Sequence, residues 1–155
     1  FLGSIPTPLS STLQSQMHTM SIAVAKGLQQ LGYIGRCSFD FIIYENRAIF
    51  IECNGRWGGT STPMHLVDRL FPDGRPPYVA KDVQDDRLIG AHFKELTQAF
   101  GDDLYRKDTG QGRYILYNVG CLSEHGKFDV IILGASHEAA QEAALSELPA
   151  ILARV

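Results

Sequence analysis

No apolar run in the 155-residue chain approaches the roughly twenty residues that cross a bilayer, so no membrane-spanning segment is expected. The first residues lack the basic start and apolar middle of a secretory signal. Cysteine is scarce: Cys37, Cys53 and Cys121 are odd in number, widely spaced and without a CxxC pair, which fits a reduced, cytoplasmic compartment. Charge of one sign is lacking too. A formal net charge of −3 and a pI near 5.9 give no footprint for nucleic acid or an anionic membrane surface. Neither GxxxxGK[ST] nor a GxGxxG after a strand occurs, so the common phosphate loops are excluded. His18, His65, His92, His125 and His137 form no HxxxH or HExxH pattern, which points to surface or capping roles; only His65 falls near the loop discussed below. Internal repeats and low-complexity tracts are absent.

What is present suits one soluble domain with a real core: 45% hydrophobic and 20% charged residues. The chain opens on Phe1, and "FLGSIPTPLSS" reads as the middle of something, so a fragment of a longer polypeptide is expected. Leu13, Met17, Met20, Val24, Leu28 and Leu31 recur at steps of three and four, one stripe of a helix capped by Ser10 or Ser11 and stopped at Gly32. Cys37 to Asn54 reads as a β-hairpin around "ENR", and "GRWGGTSTP" as a glycine-rich loop before a short helix from Pro63 to Leu70. "FPDGRPPYVAKDVQDD" is loop by composition, and His92 to Tyr105 is helical. A second hairpin, "RYILYNVGCL" and "KFDVIILGA" around "SEHG", precedes an alanine-rich helix from His137 that Pro149 ends or kinks. The order predicts an α+β fold of antiparallel hairpins packed with helices.

In "FIECNGRWGG", Glu52, Asn54 and Arg56 occupy alternate positions of an otherwise apolar strand, so they share one face. A three-residue hairpin loop centred on Asn46 would pair Phe39 with Cys53, Phe41 with Ile51 and Ile43 with Ile49 on one face. The other face would pair Tyr44 with Ala48, Ile42 with Phe50, Asp40 with Glu52 and Ser38 with Asn54. Opposed carboxylates have Cβ atoms about 5 Å apart; a two-residue loop would instead make Asp40 and Glu52 diagonal neighbours, still within reach of one ion. At 4 Å their repulsion is about 4 kcal/mol for an effective dielectric of 20, so something positive is expected there. A divalent cation is one answer; pairing with Arg56 or Arg36, or protonation of one acid, is the other. An oxygen donor set favours Mg²⁺ or Mn²⁺ over zinc.

Set in "FDFIIYENRAIFIECNGRWGG", Asp40, Glu52, Asn54 and Arg56 resemble the metal-and-phosphate hairpin at the end of the ATP-grasp superfamily. There an acidic residue is followed a dozen positions later by E-x-N-x-R, as here, and "LGYIG" before the hairpin and "GGT" after it also fit. The likeness covers roughly residues 13–63. It implies the C-terminal part of an ATP-grasp fold, with residues 1–109 as a partial C-terminal subdomain and 110–155 as a hairpin-plus-helix elaboration. It implies Mg²⁺ (or Mn²⁺) on Asp40, Glu52 and Asn54. Contacts to ATP would come from Glu52, Asn54, Arg56, Gly58 and Gly59, with Arg56 catalytic. The implied activity joins a small-molecule carboxylate to an amine through an acyl phosphate. The adenine clamp and phosphate-binding lysines would belong to an N-terminal half of the same polypeptide; Lys26 is no substitute for them. A phosphotransferase on the same fold, and a non-catalytic assembly module with a relic metal site, are the rivals; a homo-oligomer is left open.

Other residues carry blander readings. Cys53 falls on the apolar face as a buried thiol. Trp57 stacks on a ligand or covers the core, with core cover favoured. Thr60, Ser61 and Thr62 contact a ligand or cap the next helix. Arg36 neutralises the acids or is an ordinary strand-end arginine. Asp85, Asp86, Asp102 and Asp103 sit in solvated loops or at helix ends.

Overall fold

The computed structural model describes residues 3–5 and 7–155. The chain divides into two compact units, one of residues 7–62 and one of residues 63–155 together with the short strand β1, Gly3–Ser4. The division falls after Thr62, and position 109/110 lies inside the second unit.

In the first unit the apolar stripe forms α1, Ser11–Gln30, with the Ser10 hydroxyl accepting from the Leu13 N–H at 3.4 Å. Leu13 is buried and Met17, Met20, Val24 and Leu28 are half-buried, whereas Leu31, expected on the stripe, is exposed beyond the helix end. The hairpin is β2, Ser38–Tyr44, paired antiparallel with β3, Arg47–Asn54. Its loop is shorter than expected: Tyr44 faces Arg47, leaving a two-residue turn in which Glu45 (φ 47°) and Asn46 (φ 60°) are both left-handed. That geometry matches the twist of the flanking strands. The pairs nearest the turn therefore differ by one from the expectation: Ile43 faces Ala48, Ile42 faces Ile49 and Phe41 faces Phe50. A bulge then takes up Ile51, and Asp40–Glu52, Phe39–Cys53 and Ser38–Asn54 pair as anticipated. Phe50 thus joins the half-buried face with Phe39 and Phe41, its ring meeting Phe41 edge-on at 5.6 Å. The Gln16 side chain of α1 reaches this hairpin, accepting from the Ala48 N–H at 2.9 Å.

The second unit is a four-stranded antiparallel sheet in the order β1-β4-β6-β5, with helices on both faces. Its first helix is α2, Ser61–Leu70, whose Val67 is fully buried with Tyr78, Ala80, Tyr117 and Ile131. β4, Tyr78–Gln84, lies inside the stretch expected to be loop. Its consecutive Tyr78, Val79 and Ala80 are all buried because both faces are covered, so the strand shows no alternation, and Lys81 and Asp82 mask it further. The helix expected over 92–105 is shorter: α3, Phe93–Phe100, opens with the Glu95 carboxylate accepting from the His92 N–H at 2.7 Å and stops at Gly101, φ 54°. Asp85 caps the 3-10 turn Asp86–Leu88, and Arg87 holds its carboxyl below the usual range; Asp102 pairs with Arg106.

β5, Tyr114–Tyr117, pairs with β6, Lys127–Leu133, but their link is longer than the expected turn. It comprises a 3-10 turn, Val119–Cys121, and the short α4, Leu122–His125. Gly126 (φ 58°) closes it where a Cβ would meet the Asp85 carbonyl oxygen at 2.1 Å. The final helix does not end at Pro149. α5, His137–Glu142, widens into a π segment, Ala143–Glu147, before α6, Leu148–Leu152. The Leu148 N–H bonds to Ala143 O, and Pro149 has no N–H for Ala144 O. The Lys81 ammonium serves that carbonyl instead, at 3.3 Å. Leu96, Phe100, Ala140, Leu148 and Ile151 from these helices close the main core over Val79, Val83, Phe128, Val130 and Ile132.

On the α2 face Asp129 stands opposite Asp82. Asp129 is buried; its Oδ2 accepts from Asn118 Nδ2 at 2.6 Å, but among the described residues no donor reaches Oδ1. Asp82, its partner across the strands, lies 3.9 Å from the Lys127 ammonium. Burial, then the Asp82 charge, push Asp129 above the usual carboxylate range, against the opposing effects of the Asn118 bond and Lys127. A raised folded-state pKa gives stability that is full below the unfolded value near 4 and is lost as pH rises through the folded value. Wild type should therefore lose stability relative to Asp129→Asn as pH is raised above about 4. Urea unfolding of both proteins over that range checks this; a difference independent of pH contradicts it.

Candidate metal and phosphate site

The bulge and turn of the first hairpin bring Asp40 and Glu52 face to face at the end of the strands where Ser38 and Asn54 also pair. Both carboxylates are solvent-exposed. Between them lies the Asn54 side-chain amide, whose Nδ2 donates to Asp40 Oδ2 at 3.1 Å and to Glu52 Oε1 at 2.6 Å. On the other side of the amide, Arg56 Nη2 donates to Asn54 Oδ1 at 3.1 Å. The four residues singled out from the sequence thus form one bonded chain, arginine to amide to two acids.

The surrounding segment holds this chain in place. Tyr33, just beyond α1, donates its hydroxyl to the Arg36 carbonyl at 2.7 Å, and its ring packs 3.5 Å from where a Cβ on Gly55 would stand. Gly35 comes closer still, its own Cβ position lying 3.0 Å from the Tyr33 hydroxyl. Gly35 before the hairpin therefore makes room for the aromatic ring, while at Gly55 a Cβ would meet it at ordinary contact distance. Tyr33, inside "LGYIG", and Gln16 lie in no functional motif, and only the packing exposes their roles.

Arg36 does not reach the acids. Its guanidinium lies over the Trp57 ring, 4.7 Å from the centroid, in cation–π geometry. Trp57 is 53% exposed, so it does not cover the core as favoured from sequence. The Gly58 N–H is engaged by the buried Ser61 hydroxyl at 3.0 Å, so a phosphate oxygen would have to displace Ser61 there; Gly59 is exposed. His65 is exposed on α2. Cys53 is half-buried beside Cys37; burial, and then the Cys37 thiol, raise its pKa.

Among the described residues no three His, Cys, Asp or Glu side chains gather to hold a metal. The site offers two carboxylates and one amide carbonyl. Its donor chemistry nevertheless fits a hard cation: Asn54 Nδ2, a weak positive pole, already occupies the point where both acid oxygens converge. Turning the amide by half a revolution would present Oδ1 to an ion at that point and release Arg56 toward an anionic ligand. Water would complete the shell, as is usual for Mg²⁺.

If the amide is what reconciles the two acids, Asn54→Ala should lower stability by about 1 kcal/mol without metal, and added salt should recover part of the loss. The second change Glu52→Gln should recover most of it by removing the repulsion. Chemical denaturation of the single and double variants measures this, and additive losses contradict it. No protein-family model, curated protein or solved structure matches the chain.

Proposed function

We propose that the chain is the C-terminal part of an ATP-grasp-type ligase, which uses ATP and Mg²⁺ to activate a small-molecule carboxylate as an acyl phosphate for attack by an amine. The observation that carries this reading is the convergence of Asp40 Oδ2 and Glu52 Oε1 on one point, with Arg56 linked to it through Asn54. In this reading Asp40, Glu52 and Asn54 hold the cation, and Arg56, freed when the Asn54 amide turns, donates to phosphate oxygens and stabilises charge on the transferring group. Mg²⁺, when bound, neutralises charge between the incoming carboxylate and the γ-phosphate. Gly59 and, once Ser61 swings away, Gly58 offer backbone N–H groups to the phosphates.

The adenine clamp is assigned to an N-terminal half of the same cytoplasmic polypeptide. In support of a covering segment, Ile42, Ile49 and Ile51 of the hairpin and Ile34 before it are largely exposed, and a two-stranded sheet is marginal by itself. Among the described residues no helix is long and apolar enough to cross a membrane.

A second reading is favoured by the Asn54 amide itself, which satisfies both acids with no ion: a non-catalytic module with a relic site. Calorimetric titration of Mg²⁺ plus ADP into the full-length polypeptide separates the two. The ligase reading predicts binding that requires the metal and weakens by about tenfold or more in Glu52→Gln. Metal-independent binding, or none, favours the relic.

A further inference from the structure

In the second unit, the edge strand β1 and the start of β4 meet the α5–π segment around a cavity of about 380 Å³. Its floor is apolar, from Val79, Ala80 and Ala144, and Ile5 and Leu145 stand at its rim, both largely exposed. That volume suits a small ligand. Among the described residues Lys81 brings the one charge in the lining. Its ammonium is held by Ala144 O at 3.3 Å, the carbonyl that Pro149 leaves without a helical donor. An ammonium carries three N–H donors, and this bond uses one. Among the described residues no carboxylate forms an ion pair with Lys81. A cation at an apolar cavity, with no ion-paired carboxylate among the described residues, is complementary to an anion that carries an apolar tail.

We propose that this cavity is a binding site for a small aliphatic carboxylate, its carboxylate on Lys81 Nζ and its chain between Ile5, Val79 and Leu145. The site is separate from the acid hairpin and stands whether or not the ligase reading holds. Chain length supplies affinity through burial of methylene groups, and Lys81 selects the charged head.

Octanoate is the probe, titrated into the full chain by NMR shift mapping, with acetate and 1-octanol as controls for head and tail. Octanoate should bind saturably with shifts at residues 79–81 and 141–145, and acetate and 1-octanol each at least about tenfold more weakly. Lys81→Met should weaken octanoate about tenfold or more. Because that change also removes the donor to Ala144 O, Leu145→Glu at the exposed rim is the second variant; its carboxylate competes for Lys81 and should weaken binding while circular dichroism stays unchanged. Non-saturable shifts, shifts elsewhere, octanol binding as well as octanoate, or full affinity in a folded Leu145→Glu protein would overturn the proposal.

Discussion

The candidate site depends on a constraint of backbone geometry at the far end of its hairpin. Glu45 and Asn46 both adopt left-handed φ, which closes β2 and β3 with a two-residue turn and fixes Tyr44 opposite Arg47. Continued without interruption, that register would place Asp40 against Ile51 and turn Glu52 to the opposite face. The bulge at Ile51 inserts one residue and restores the opposition of Asp40 and Glu52. Turn and bulge together decide that two carboxylates face each other, and that arrangement creates the need for a compensating group.

Compensation takes different forms in the two units. On the exposed hairpin a neutral amide stands between the acids, donating to both, and an arginine stands behind it. On the larger sheet Asp82 and Asp129 are paired across the strands; Lys127 lies 3.9 Å from Asp82, and burial raises the pKa of Asp129. Exposure accounts for the contrast. In water a carboxylate pair can exchange one partner for another at small cost, whereas burial favours the neutral form.

Much of this was legible in the sequence because it is local. The period of the apolar residues from Leu13 to Leu28 gave α1, and the alternation of Glu52, Asn54 and Arg56 gave the shared face. The α+β class with antiparallel pairing followed from element order. The three-residue loop was a wrong choice between turns because neither Glu45 nor Asn46 is a glycine, the usual sign of left-handed backbone. β4 was hidden because its polar residues answer to distant partners, Lys81 to Ala144 O and Asp82 to Lys127. The π segment before Pro149 was unreadable for the same reason: the donor that relieves it comes from β4. Trp57 was misjudged because nothing local reveals that Arg36 lies over it.

The central claim is that Asp40, Glu52 and Asn54 form a cation site which the Asn54 amide fills when no ion is present. Crystals grown with Mn²⁺ and measured at its absorption edge test this most directly. The account predicts an anomalous peak about 2.2 Å from an oxygen of Asp40 and an oxygen of Glu52, with Asn54 turned so that Oδ1 faces the ion and Arg56 released. Crystals with no peak there, and with Asn54 still donating to both acids, would contradict it.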